Sequence, residues 1–240
     1  MKLLIDIGNT NIVYGISEGM ELKKKWRTSY NLKFTKDEFA ISIINYLNYF
    51  NLKPDCVNIS CVVPEVLFAI KNGVEEYLHI KPRIVDCNIK CGLDIPNELG
   101  ADRIVNCIAA NKIYGGDLII IDFGTATTYD MLDASGKFLT GITAPGLKIS
   151  AEALFNKASL LSATDLVLPK SIFVKNTTDS VRAGIILSHI GAAEYIIKKL
   201  LEQLPNAKVI ATGGLCSLID TDLINIQDSD LTLKGLMLID

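Results

Sequence analysis

The chain of 240 residues is 49% hydrophobic and 21% charged, with a formal net charge of −3. That length allows one domain or two, and the apolar fraction favours a filled core over disorder. The charge balance argues against a general nucleic-acid binder. No apolar run reaches the roughly 18–20 residues of a membrane helix, and Asp6 comes too early for a signal-peptide apolar region. The expectation is a soluble, cytoplasmic protein.

In chain order, the stretch "LLIDIGNTN" (3–11) reads as a buried strand running into Asp6, Gly8, Asn9, Thr10 and Asn11. A turn at Gly19 leads into "MELKKKWRT", where Lys23, Lys24 and Lys25 suit a solvated sheet edge. A helical pattern over 36–50 precedes the strand "CVNISCVV", a helix from about Pro64 to Leu78, and the strand "RIVDC". A polar turn then feeds an amphipathic helix within 96–114, with Ile104 and Ile108 at helical spacing. "IIIDFGTAT" (119–127) restates the opening stretch, Asp122 over Asp6 and Gly124 over Gly8. A Gly136 turn, the strand "KFLTGIT", a long helix near 180–203, the strand "AKVIATGG", a short helix and the strand "LINIQD" follow.

Both halves therefore read β-β-β-α-β-α-β, and such a repeat fixes an architecture. The expectation is an α/β protein of two duplicated lobes, 1–115 and 116–240, with a nucleotide cleft between them. Ligands of open α/β sheets sit beyond the carboxyl ends of strands, where both Asp-x-Gly turns fall.

Glycine lets backbone approach a ligand without an intervening Cβ, and Asn and Thr beside exposed N–H groups form an anion-binding surface. An aspartate repels phosphate oxygens unless a cation lies between them. The paired turns thus read as polyphosphate or nucleotide loops. A single Asp-x-Gly is an ordinary turn; the signal is two of them in register. Neither GxxxxGK[ST] nor a GxGxxG following a strand is present. "ATGGL" (211–215) is by itself a βα turn, which at the end of the second lobe would let adenosine lie flat on the backbone.

Asp102 falls in a first helical turn, where N–H groups favour negative charge. It reads either as a cap or as the carboxylate that accepts a hydroxyl proton in phosphoryl transfer. The two histidines, His79 and His189, are far apart in sequence, so a His-dependent triad is poorly supported and Asp102 leads. Arg103 is a forked donor for a carboxylate or phosphate, or half of an ordinary surface ion pair. The six cysteines form no CxxC pair. Cys87 and Cys91 lack a matching half-site, so all six read as small reduced core residues.

These motifs resemble, nearly end to end and in order, the type III pantothenate kinases of the acetate-kinase/sugar-kinase/actin-like superfamily. The matching stretches are "DIGNTN", "GADRIVN", "IDFGTATTYD", "GITAPGLKISAEALF", "KNTTDSVRAGI", "ATGGL" and "DLTLKGL". The resemblance implies ribonuclease-H-like lobes and ATP-dependent phosphorylation of the primary hydroxyl of pantothenate, the first committed step to coenzyme A. It puts the nucleotide-binding stretch on Asp6, Ile7, Gly8, Asn9, Thr10, Asn11, Ile12 and Val13, with Thr125 a further ATP contact. It puts pantothenate on Gly100, Ala101, Asp102 and Arg103, with Asp102 as proton acceptor and Thr177 a further substrate contact. It also implies Mg2+ with ATP, a monovalent cation (K+ or NH4+) on Asp122, and a homodimer with substrate sites near its interface. One segment departs from the pattern. The family carries Gly-Leu…Tyr-x-x-Pro before this motif, whereas Gly92-Leu93 runs to Pro96 with no tyrosine and several residues fewer. That leaves the pocket wall to Ile95 or to the partner subunit. It also leaves open a same-fold kinase for another small hydroxylated acid, or a nucleotide-binding regulatory protein without chemistry.

Overall fold

The aliphatic run before Asp6 forms β1 (Lys2–Ile7), which turns at Gly8 into β2 (Asn11–Glu18). Gly19, at φ +56°, takes the left-handed turn into β3 (Glu21–Ser29) that other residues adopt only at a cost. Helix α1 (Lys36–Tyr49) starts with Thr35 and Glu38 capping each other: the Glu38 N–H donates to Thr35 Oγ1 at 3.2 Å and the Thr35 N–H to Glu38 Oε2 at 2.7 Å. After β4 (Cys56–Cys61), helix α2 (Pro64–Gly73) begins on a proline, whose missing N–H is harmless in a first turn. It runs on as a π-helical turn to Leu78, followed by β5 (Arg83–Ile84) and α3 (Ala101–Ile113).

The repeat comprises β6 (Leu118–Phe123), β7 (Ala126–Leu132), β8 (Phe138–Pro145), α4 (Leu147–Lys157), α5 (Thr177–Gln203) and β9 (Lys208–Thr212). A 3₁₀ turn, β10 (Ile226–Gln227) and α6 (Leu231–Met237) complete the chain. The computed structural model describes residues 1–29, 34–158, 161, 164–168 and 171–239.

The two sheets have the same order, β3-β2-β1-β4-β5 and β8-β7-β6-β9-β10. In each, a three-strand antiparallel meander is extended by parallel strands. Even the bulges correspond: one follows Ile16, opposite Leu3, and the other follows Met131, opposite the equivalent Ile119. The α/β fold of two repeated lobes expected from the sequence is the observed one.

The chain divides into two compact units, Met1–Lys112 with Leu231–Asp240, and Ile113–Asp230. In unit 1, Leu3, Ile5 and Ile7 pack with Tyr14, Ile16, Phe39, Ile43, Val66 and Ile70. In unit 2 the equivalent Ile119, Ile121 and Phe123 pack with Tyr129, Met131, Ala193, Ile197 and Leu200. Each fully buried Ile or Leu contributes about 1.5–3 kcal/mol, so these facing rows fix the register. A slip by one residue would move every one of them to the opposite face of its sheet, where Leu4 and Ile120 are already buried.

Three features differ from the expectation. The "GITAPGLKISAEALF" stretch contains helix α4, which strand–turn patterning leaves unassigned. The last ten residues belong with unit 1 rather than following a simple division at 115/116. Only Cys107 and Cys216 are buried; Cys56, Cys61, Cys87 and Cys91 are half-buried, so the cysteines are not uniformly core residues. The lysine run does lie exposed on an edge strand, with Lys23 paired to Glu21 at 2.7 Å.

Candidate active site

Side chains alternate across a strand, so with Ile5 and Ile7 in the core, Asp6 points to the opposite face of the unit 1 sheet. It is half-buried, with Val13 beside it on β2 and the fully buried Ser60 on β4. The strand pair closes at Ile7–Ile12, and Gly8 N–H donates to Asn11 O at 3.1 Å. A Cβ added to Gly8 would meet only Asn11 O, at 3.5 Å, while Asn9 and Thr10 are exposed. The turn is open. Ile7 and Ile12 have their side chains in the core, at 0% and 2% exposure, and so could offer a ligand only main chain.

The "GADR" residues come to the same end of unit 1. Val62, just past β4, donates its N–H to Ile7 O at 3.1 Å, and its Cγ1 lies 3.8 Å from where a Gly100 Cβ would stand. Gly100 O accepts from Ile104 N at 3.0 Å, which starts α3, with Ala101 buried and Arg103 half-buried. Asp102 Oδ1 accepts from the Arg103 N–H at 2.8 Å. A Cβ on Gly100 would stand 2.9 Å from that oxygen, so a larger residue here would displace the Asp102 carboxylate. Burial pushes the Asp102 carboxyl above its ordinary value, outweighing the Arg103 N–H and guanidinium, which act to lower it. A raised carboxyl is a better proton acceptor than an ordinary surface aspartate.

The turn of unit 2 is built more tightly. Its strand pair closes at Phe123–Thr127, and Gly124 N–H donates to Ala126 O at 3.1 Å. Asp122 is flanked by Thr128 on β7 and the buried Thr212 on β9. Gly213, at φ +94°, lies so close that a Cβ would stand 2.4 Å from Asp122 Oδ1. Gly146, which leads into α4, would place a Cβ 2.2 Å from Thr125 O. On the other face, the buried Thr127 hydroxyl pairs with His189 Nε2 at 3.1 Å, and burial lowers the imidazole from its ordinary value. Among the described residues no group of three or more His, Cys, Asp or Glu side chains could hold a metal. Any cation at Asp122 would draw on neutral oxygens such as those of Thr128 and Thr212, a donor set suited to a hard cation.

The sequence profile described as type III pantothenate kinase matches residues 2–199. The chain belongs to the type III pantothenate kinase family. A type III pantothenate kinase of Agathobacter rectalis is 41% identical over 250 aligned residues, covering 100% of this chain and 96% of the relative. That of Geobacillus kaustophilus is 43% identical over 250, with the same coverage. Among solved structures, (R)-2-hydroxyglutaryl-CoA dehydratase component A from Acidaminococcus fermentans superposes with a TM-score of 0.55 at 15% identity. That match covers 98% of this chain and 94% of the other, and speaks to the fold alone.

Against the type III pantothenate kinase pattern, unit 1 brings together Asp6–Val13 and Gly100–Arg103, while Asp122, Thr125 and Thr177 belong to unit 2. Thr177 is the exposed first residue of α5, after Asn176, whose Oδ1 accepts from Asp179 N at 2.9 Å. Val62, Gly146 and the Thr127–His189 pair escaped sequence reasoning. Val62 is one valine of an apolar strand end, and nothing local marks it. Gly146 could have been found: a glycine after "TAP" at a strand end is a candidate for close backbone approach.

Proposed function

We propose that this chain transfers the γ-phosphoryl group of ATP to the primary hydroxyl of pantothenate, forming 4′-phosphopantothenate. Membership of the type III pantothenate kinase family supports the reaction. The observation that carries the mechanism is the half-buried, upward-shifted Asp102 carboxyl, held through Val62 beside the open turn after Asp6. Asp102 accepts the hydroxyl proton as transfer proceeds, and Gly100, Ala101 and Arg103 hold pantothenate. Asp6–Val13 and Thr125 bind ATP, the former largely through backbone N–H groups and the Asn9, Thr10 and Asn11 side chains. Thr177 is a further substrate contact.

Asp6 suits the Mg2+ that accompanies ATP, and Asp122 with its threonine neighbours suits K+ or NH4+. These ions neutralise phosphate charge when bound. In-line transfer of this kind is accelerated mainly by positioning and charge. The chain acts as a cytoplasmic homodimer, for which the exposed Leu187 and Tyr195 of α5 offer apolar contact area. Among the described residues no helix is long and apolar enough to cross a membrane.

A second reading, a kinase for another small hydroxylated acid, is favoured only by the short segment from Gly92 to Pro96, which lacks the tyrosine and carries half-buried Ile95. Turnover of ATP across a panel of hydroxylated acids, with mass detection of the phosphorylated product, tests both. The proposal expects 4′-phosphopantothenate as the dominant product; preferential phosphorylation of another acid overturns it.

A further inference from the structure

The "DLTLKGL" stretch forms α6, and its contacts join the two parts of the unit 1 site. At its carboxyl end, Lys2 Nζ donates to Met237 O at 3.0 Å and Ile239 O at 2.8 Å. The fully buried Asn58 caps the same end, its Nδ2 donating to Leu236 O at 2.8 Å and Ile239 O at 2.9 Å. Cations and amide donors satisfy the last carbonyls of a helix, which have no intrahelical partner. These bonds fasten α6 to the first residue of β1 and to β4, and Asp6 stands near the other end of β1.

The other contacts of α6 reach α3. Gly235 lies against the Val105 backbone: a Cβ would stand 2.0 Å from Val105 O, so no other residue allows the helices this close. Thr232 Oγ1 donates to Asn106 Oδ1 at 2.8 Å, and Asn106 is 1% exposed. Asn106 is one helical turn from Asp102 on the same side of α3. The glycine contact sets the separation of the helices, and the hydrogen bond sets how far α3 slides or rotates along α6.

We infer that α6 is the spacer that holds α3 against β1, making Thr232 and Gly235 positioning residues for Asp102. The inference rests on Asp102 being the proton acceptor. A strand in a sheet and a helix of several turns are both stiff, so slippage between Asp6 and Asp102 within unit 1 would be taken up at these contacts.

The test uses Thr232→Val, which keeps the shape and removes the donor, and Thr232→Ser, which restores it. Gly235→Ala is avoided because its overlap with Val105 threatens folding. Each variant is made in the native and Asp102→Asn backgrounds. Pantothenate-dependent turnover and ATP affinity are measured well below the unfolding midpoint. Thr232→Val should lower kcat about 10- to 100-fold, the scale of a 1 Å misplacement, with ATP affinity unchanged and Thr232→Ser near native. In the Asp102→Asn background Thr232→Val should add nothing further, because residues acting as a unit are not additive. A native kcat in Thr232→Val, a lowered melting point with kcat intact, or an equal loss in both backgrounds overturns the inference. Normal turnover by Asp102→Asn refutes the base assignment itself, and the inference with it.

Discussion

The turns after Asp6 and Asp122 descend from one pattern and have been built to different tolerances. Each ends the first strand of a sheet of identical order, and each aspartate faces away from an aliphatic core. Around Gly8 there is space, and the aspartate has a valine and a serine for neighbours. Asp122 has two threonines for neighbours and Gly213 packed against its carboxylate, and Gly146 packs against the Thr125 carbonyl of the same turn. An open turn suits a ligand that arrives and leaves each cycle. A braced one suits a small ion that needs oxygens held at fixed places.

The largest expected effect lies in the unit with the open turn. Asp102→Asn should keep ATP binding and lower turnover by about 10²- to 10⁴-fold, the usual range for a general base. Near-native turnover would remove the base from unit 1 and leave the comparison without its chemical half.

The glycines separate the turns next. Gly213→Ala should destabilise the protein by about 2–4 kcal/mol, from a positive φ and the overlap with Asp122. Gly8→Ala should cost less than about 1 kcal/mol, since its Cβ has room, yet weaken ATP binding where backbone meets phosphate. Urea unfolding of the two variants measures this, and equal losses would erase the distinction. Asp122→Ala should abolish stimulation by potassium over sodium while pantothenate-dependent turnover persists; an undiminished potassium response would move the cation elsewhere.

The smallest effect is on stability against pH. Because burial raises the Asp102 carboxyl in the folded state, its contribution is most favourable below the ordinary carboxylate range. That contribution is lost as pH rises through the folded value. Asp102→Asn should therefore melt above the native protein at neutral pH, with the gap closing on acidification. A gap that widens toward acid would mean the carboxylate is stabilised rather than strained.

Much of this is legible before any coordinates. The repeat is visible because strand alternation forces the same spacing of apolar residues around Asp6 and Asp122, and turns need the same small residues. Asp102 is legible because a polar turn before an amphipathic run marks a helix start. What escapes the sequence depends on distant contacts. Whether α6 completes unit 2 or returns to unit 1 is decided by Gly235 meeting Val105 and by Asn58 meeting the last carbonyls. None of those pairs has a local pattern. Gly213 reads as a βα turn residue, while its closeness to Asp122 arises only from the parallel pairing of β6 with β9. The half-buried cysteines show the same limit, since residue type indicates an average burial and not a position.

The central claim is tested most directly by ADP release from ATP and magnesium, measured with and without pantothenate and in potassium against sodium. A rate that appears only with pantothenate and is greater in potassium is the predicted result. ATP binding without any pantothenate-dependent release would contradict it.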